Sequence, residues 1–234
     1  MAEFTVTGDI DPFLHVSLHS SERIYCESNA MVMMESNLEL KGKMTGGAGN
    51  SLMRRFTNGE SFFQQHIEAT YGAGDCLLSP TLPGAIEILE VGATHYLMND
   101  GVFVAAESSV TLQVRTQSLG TALFGQTGGF FICETGGAGK IAVSGFGSSF
   151  VLDVSPGKDI VIDNAHVIAW DSRLHYEISV VTQGGGGFFG QMINSVTSGE
   201  GVILKFSGKG QVIICSRNRN TFASWMGKAI SGAG

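Results

Sequence analysis

Apolar and polar residues alternate along most of the chain, in short runs separated by glycine, serine and proline. The runs "FLHVSL" from Phe13, "IEILEV" from Ile86 and "FVLDV" from Phe150 are examples. A period of two residues puts apolar side chains on one face of an extended segment, so these runs predict half-buried β-strands. The runs "MVMME", "VFVAAE" and "VIAWD" are continuously apolar and each ends at an acid. They predict a central strand buried on both sides.

This pattern occurs three times. The segment Leu14–Leu40 aligns without a gap with Ile86–Leu112, 72 residues later, and with Phe150–Tyr176, 136 residues after the first. The apolar positions coincide, and so do three pairs of an acid and a serine, namely Glu35–Ser36, Glu107–Ser108 and Asp171–Ser172. An internal period of this kind indicates a repeated structural unit.

The second half of each unit also repeats. A glycine turn leads into an apolar strand in "GAGDCLLS" at Gly72, "GAGKIAVS" at Gly137 and "GKGQVIICS" at Gly208. Another apolar segment precedes each turn, and two strands joined by such a turn predict a hairpin.

A glycine-rich segment lies between the two halves of every unit, and each such segment carries large apolar residues. We expect these residues to form an interaction patch that docks on a second copy, another protein or a membrane surface, because a contiguous exposed apolar patch usually marks a contact. The alternative is that each segment folds back onto its own unit. The residues are Leu52, Met53, Phe56, Leu123, Phe124, Phe188, Phe189 and Met192.

A helix is predicted after the third unit. Phe222, Trp225, Met226, Ala229 and Ile230 fall on one helical face, which predicts packing on the β body or at a subunit contact. A short polar side chain can cap the helix start, and the candidates are Asn220 and Thr221.

The predicted fold class is therefore all-β, with three antiparallel units of the β-sandwich or double-stranded β-helix kind in a pseudo-threefold arrangement. We expect one compact domain over residues 1–234, with units at about 13–82, 84–147 and 149–219 and the helix at about 220–231. The ends of a repeat array leave strand edges that need cover, and a homo-oligomer would supply it. Trimers or larger rings suit this geometry.

Composition narrows the function classes. Hydrophobic residues make up 43% of the 234 residues, which is enough for a sizeable core. The formal net charge is −7, and nucleic-acid binders usually carry a basic surface. No nucleic-acid partner is expected, and the basic spot at Arg217 and Arg219 is interpreted as solvated surface charge.

The four cysteines, Cys26, Cys76, Cys133 and Cys215, are far apart and form no CxxC pair. Buried, reduced thiols in a cytoplasmic protein are the favoured interpretation. The first residues lack the basic and apolar regions of a signal peptide, and no apolar run is long enough to span a membrane.

No catalytic residue, cofactor or metal site is predicted. The six histidines include no H-x-H pair, and His15 and His19 are interpreted as surface residues. No lysine follows the glycines at 184–187, so a phosphate-binding loop is not indicated. The acids Glu35, Glu107 and Asp171 could converge on a pseudo-threefold axis, but the favoured interpretation is that each accepts hydrogen bonds in a turn.

Four segments carry a resemblance: "ESNAMVMMESNLEL", "RRFTNGESFF", "PTLPGAIEIL" and "CSRNRNTFASWM". Their order resembles a widespread prokaryotic family similar to the mitochondrial protein called altered inheritance of mitochondria protein 24. The resemblance implies a fold like that of the tryptophan RNA-binding attenuation protein superfamily, and it implies no enzymatic activity. RNA binding does not carry over because this chain is acidic and has no basic and aromatic track.

Two functions follow as expectations. The first is a non-enzymatic structural or interaction protein, an oligomeric β scaffold that docks through the glycine-rich segments. The second is a small-molecule binding protein or an enzyme with a site between units. A cavity lined by His166, Trp170 or Glu107 would favour the second function.

Overall fold

The structure is a computed structural model that describes residues 1–44, 63–117, 130–180 and 202–232. Nearly all of the secondary structure in these ranges is β-strand, and every named strand pair is antiparallel. One helix follows the last strand. The predicted all-β class is confirmed.

The strands follow the repeat. Strand β1, Glu3–Thr7, precedes the first unit. Unit 1 has six strands: β2 Phe13–Leu18, β3 Arg23–Glu27, β4 Met31–Met34, β5 Glu39–Met44, β6 Phe63–Glu68 and β7 Gly74–Leu78. Unit 2 has six strands: β8 Ile86–Val91, β9 Tyr96–Asn99, β10 Phe103–Glu107, β11 Val110–Gln117, β12 Phe130–Gly137 and β13 Gly139–Ser144. Unit 3 has six strands: β14 Ser149–Val154, β15 Ile160–Asp163, β16 Val167–Asp171, β17 His175–Val180, β18 Val202–Ser207 and β19 Gly210–Cys215.

Each unit pairs its six strands in the same way. The first, sixth and third strands form one sheet, as in β2–β7–β4, and the second, fifth and fourth strands form another, as in β3–β6–β5. Units 2 and 3 repeat both arrangements. Alternating apolar residues of the two sheets face each other, so each unit encloses its own core.

Neighbouring units share sheets. The second strand of one unit pairs with the third strand of the next, β3 with β10 and β9 with β16. Each junction therefore joins two three-stranded sheets into one sheet of six strands. The pairing that would close three units into a ring, β15 with β4, is not among the pairings of the described strands.

Three apolar clusters fill the spaces between consecutive sheets. Strands β2, β3 and β7 supply much of the first cluster, and residues of β10 and β13 also enter it. The third cluster contains Trp170 and Phe206, whose rings meet edge to face at 5.6 Å. Because the clusters draw on adjoining units, the sheet junctions are part of the core.

The repeated acids lie at strand ends, and their carboxylates accept backbone hydrogen bonds. Glu107 accepts a hydrogen bond from the backbone N–H of Lys140 in β13 at 2.7 Å, and Glu35 accepts one from Asp75 in β7 at 3.2 Å. Asp171 accepts from the backbone N–H of Arg173 at 2.9 Å and pairs with its guanidinium. The favoured interpretation as turn acceptors is therefore right for the Asp171 carboxylate, while the other two carboxylates bind the sixth strand of their own unit.

The C-terminal helix α1, Arg219–Ser231, starts where the sequence predicts, but its cap and its packing differ. Asn218 is the cap, since its side chain accepts hydrogen bonds from the N–H groups of Asn220 and Thr221. Only the first turn contacts the β body in an aromatic pair, with Phe222 against Phe146 at 5.0 Å. The rest of the predicted apolar face is exposed, at Trp225, Met226 and Ile230. The helix extends beyond the surface that could bury these side chains.

Candidate functional site: two unpaired sheet edges and a cleft between units

The third strands of the three units have similar sequences but different burial. All five residues of β10 and all five of β16 are buried. In β4, by contrast, Val32 is 53% exposed and Met33 is 41% exposed. The prediction of a strand buried on both sides is therefore right for units 2 and 3 and wrong for unit 1. The reason is that β4 has β7 on one side and no described strand on the other.

The second strands show the same contrast at the other end of the array. Strands β3 and β9 pair with the next unit and bury their central residues. Strand β15 pairs only with β18 among the described strands, and Val161 in its centre is 43% exposed. Among the described strands, the third strand of unit 1, β4, and the second strand of unit 3, β15, are therefore the two that lack a partner from a neighbouring unit.

Strands β4 and β15 are the third strand of unit 1 and the second strand of unit 3, and strands at these two positions pair with each other at both internal junctions. At the first junction Ala105 lies opposite Cys26, and at the second Ala169 lies opposite Met98. The repeat shifts of 72 and 136 residues map both pairs onto positions 33 and 26 of unit 1. Applied to the unpaired edges, this shared register places Met33 opposite Ile162 and Met34 opposite Val161.

The local geometry of β4 already matches that of the paired strands. A register shift occurs in β4 between Met31 and Met33. The equivalent shifts occur in β10 between Phe103 and Ala105 and in β16 between Val167 and Ala169. Because a bulge sets the local twist and bend of a strand, β4 has the shape that accepts a second strand at the two internal junctions.

The chemistry of the two edges differs from that of edge strands β5 and β8. Strand β5 carries Lys41, and β8 carries Glu87 and Glu90. Charged side chains of this kind discourage pairing between sheet edges. Strand β4 has the sequence MVMM, and β15 has the sequence IVID with its one charge at the end. Neither edge has charges along its centre.

A separate cleft of about 260 Å³ lies between units 2 and 3, beside the start of α1. Its walls include Asn99–Val102, Phe146, Asn164 and the segment 217–220. A cavity between units was the condition for the second expected function. His166, Trp170 and Glu107, however, do not line this cleft. Trp170 is buried in the third cluster, and Glu107 accepts its hydrogen bond from Lys140.

Asn99 fixes one side of the cleft. Its Nδ2 donates to the backbone oxygen of Val167 at 2.7 Å, and to the backbone oxygen and Oδ1 of Asn164 at 3.0 Å each. These bonds connect the end of β9 in unit 2 to the short 3-10 helix Asn164–His166 and the start of β16 in unit 3, and they tie the two units together at the cleft. Sequence reasoning missed this site because its residues come from distant parts of the chain, and no motif joins Asn99 to Arg217 or Arg219.

Burial makes the four thiols poor nucleophiles. It raises the pKa of Cys26, Cys76 and Cys133 to about 12 and also raises that of Cys215, because the thiolate is poorly solvated. All four cysteines are free. In the described ranges no three metal-binding side chains lie close enough together to hold an ion. Nε2 of His15 lies 3.5 Å from Oδ1 of Asp75.

The eight residues of the predicted apolar patch lie outside the described residues. They are Leu52, Met53, Phe56, Leu123, Phe124, Phe188, Phe189 and Met192. Their docking role stays a prediction from the sequence. Within the residues that the structure describes, no helix is long and apolar enough to cross a membrane.

Comparisons with known proteins agree over almost the whole chain. A model of the family described as mitochondrial biogenesis AIM24 matches residues 4–217. An uncharacterised protein of Streptococcus pyogenes serotype M6 is 35% identical over 227 residues, which is 94% of this chain and 88% of that protein. An X-ray crystal structure of a Streptococcus pyogenes protein is similar with a TM-score of 0.78 and 31% identity, covering 98% of this chain and 100% of that one. The resemblance to this family is therefore confirmed.

Proposed function

The chain belongs to the mitochondrial biogenesis AIM24 family, and we propose that it is a non-enzymatic structural protein that assembles by joining β15 of one copy to β4 of the next. One observation carries this proposal. Both internal junctions have the same register, and the two unpaired edges are the strands that this register would join.

Burial gives the proposed contact its driving force. Ala105 and Ala169, the equivalents of Met33, are fully buried at the internal junctions. Pairing the edges would cover Val32, Met33 and Val161 and would give their backbone N–H and C=O groups partners. Apolar burial contributes about 25 cal/mol per Å², and the ladder adds hydrogen bonds along both strands.

The contact is head-to-tail, since it joins two different edges. Such a contact produces a ring when the rotation between copies closes, and a filament when it does not. The proposed assembly is therefore a homo-oligomer that continues the sheet arrangement from one chain into the next.

Two observations support a structural role over a catalytic one. The repeated acids are engaged in hydrogen bonds with backbone N–H groups, and burial raises the pKa of the thiols, which favours their unreactive protonated form. The cytoplasm is the proposed compartment, because free thiols persist where the surroundings are reducing.

Cysteine crosslinking tests the proposed register. A chain that carries both Met34→Cys and Val161→Cys should form multimers under mild oxidation, because residues directly opposite in an antiparallel pair have Cβ atoms about 4.5–5.5 Å apart. Non-reducing gel electrophoresis and native mass spectrometry would detect them. The matched control pairs Val161→Cys with Val6→Cys on β1, the other edge of the β4 sheet. The proposal fails if the native protein is monomeric, or if the control pair crosslinks as readily.

A further inference from the structure

The cleft between units 2 and 3 has a positive charge in an acidic protein. Its lining residues include Arg217 and Arg219, both exposed, and one acid, Asp100, while the whole chain has a net charge of −7. We propose that this cleft binds a small carboxylate with a compact apolar body. This inference goes beyond the structural role above and does not depend on it.

The two arginines are available for an anion. Among the described residues, the ion pairs involve other cations, and neither Arg217 nor Arg219 takes part in one. The guanidinium of Arg217 lies 5.8 Å from the centre of the Phe146 ring. The Arg219 side chain covers the turn at Gly101, which borders the cleft. A Cβ atom placed on Gly101 would lie only 3.1 Å from Nη1 of Arg219. A guanidinium offers parallel N–H donors that match a carboxylate.

The helix start does not offer the backbone N–H groups of a typical helix-terminus phosphate site. Phosphate sites at helix N-termini use free backbone N–H groups. At α1 the N–H groups of Asn220 and Thr221 already donate to Oδ1 of Asn218, at 2.9 and 3.1 Å. The side chains of Arg217 and Arg219 then supply the hydrogen-bond donors for an anion at this end of the cleft.

Apolar residues form part of the cleft lining, and the volume of the cleft restricts the size of the ligand. Val102, Phe146 and Ile168 are buried and contribute to its lining. Its volume of about 260 Å³ is just below the range of typical ligand pockets, about 300–1,000 Å³. The ligand is therefore the size of a single ring or a short branched chain. The Asn99 hydrogen bonds hold the two sides in place before it binds.

Titration of the full chain with benzoate tests this proposal. Isothermal titration calorimetry and ligand-observed NMR should show saturable binding of benzoate and none of benzyl alcohol, which has the ring without the charge. Arg217→Gln and Arg219→Gln should each weaken benzoate binding about tenfold or more, because each removes charge-assisted hydrogen bonds. Lys228→Gln is the matched control, since it removes one positive charge from the last turn of the same helix.

Four results would overturn the proposal. They are an absence of saturable benzoate binding, equal binding of benzyl alcohol, binding of inorganic phosphate in place of benzoate, and an equal loss in the Lys228→Gln control. Self-assembly is measured separately by native mass spectrometry, so failure of the cleft proposal and failure of the edge proposal are distinguishable.

Discussion

Ala105 lies directly opposite Cys26 across the junction of units 1 and 2. Ala169 and Met98 repeat this relationship at the junction of units 2 and 3. A register that recurs at both internal junctions shows how one unit accepts the next. Unit 1 has β4 and unit 3 has β15 at a sheet edge, and pairing these two strands between copies would repeat this register. The predictions for the two edges follow from that arrangement.

A charge on β4 should prevent self-assembly. Met33→Lys places an ammonium group where the proposed contact is apolar, and burying an unpaired charge is strongly unfavourable. We expect native mass spectrometry to show monomers. Since Met33 is exposed within one chain, the free energy of unfolding of the monomer should change by only about 0.5 kcal/mol. Val6→Lys, at a position 40% exposed on the other edge of the same sheet, should leave the oligomer intact.

The same experiment can be made at the other edge. Val161→Lys on β15 should also yield monomers, while Val151→Lys on β14 should not, because Val151 lies on an edge strand outside the proposed contact. The two valines are similarly exposed, at 43% and 40%. Equal dissociation by both substitutions would point to a general charge effect and would contradict the edge contact.

The Asp171–Arg173 pair should make stability depend on pH in the acidic range. Hydrogen bonding to the Arg173 guanidinium lowers the pKa of Asp171 below its ordinary value, against the opposing effect of burial. A carboxylate with a lowered folded pKa stabilises the fold above its unfolded pKa, and this contribution is lost as pH falls through the folded pKa.

Urea unfolding at several pH values would measure this effect. Arg173→Gln should be less stable than the parent protein at neutral pH, and the difference should shrink as the medium becomes acidic enough to protonate Asp171. Arg23→Gln removes an exposed arginine at the start of β3 that takes part in none of the ion pairs of the described residues, and it serves as the control. A difference for Arg173→Gln that stays constant down to strongly acidic pH would argue against this account.

The four thiols should be protected in the folded protein. Burial raises the pKa of Cys26, Cys76 and Cys133 to about 12, so very little thiolate exists at pH 8. We expect a chromogenic disulfide reagent to react slowly with the native protein and to titrate four thiols after unfolding in guanidinium. A thiol that reacts at once in the native protein would contradict the burial described here.

Asn218 should determine the stability of the start of α1. Asn218→Ala removes the acceptor for two backbone N–H groups, a change that typically costs about 1 kcal/mol. Amide hydrogen exchange across residues 219–231 should become faster. Asn220→Ala is the control, because Asn220 contributes a backbone N–H to the cap and its side chain is not the acceptor. Equal effects of the two substitutions would show that the cap assignment is wrong.

Much of the local structure was predictable from the sequence, because it depends on short-range patterns. Period-two alternation predicted strands such as β2 and β8, and Asp171 was correctly interpreted as a turn acceptor. The helix was predicted close to its observed range. Its cap was misassigned because several short polar residues occur in succession, and only the backbone geometry distinguishes Asn218 from Asn220.

The contacts between units were not predictable in the same way. "MVMME" and "VIAWD" are alike as sequences, yet β16 has a strand on either side and β4 has only one described neighbour. Burial of a strand depends on what pairs with it, and the partner is distant in sequence. The cleft depends in the same way on Asn99, Phe146 and Arg219, which only folding brings together.

By itself the sequence determined three β units, their strands and turns, and the family, because a repeat and its hydrophobic period are local properties of the chain. The tertiary structure alone decided which strands join the units, that β4 and β15 lie at sheet edges among the described strands, and where a charged cleft forms. These features depend on pairing and packing between residues far apart in the chain. A local pattern of apolar and polar residues does not show which distant residues will meet.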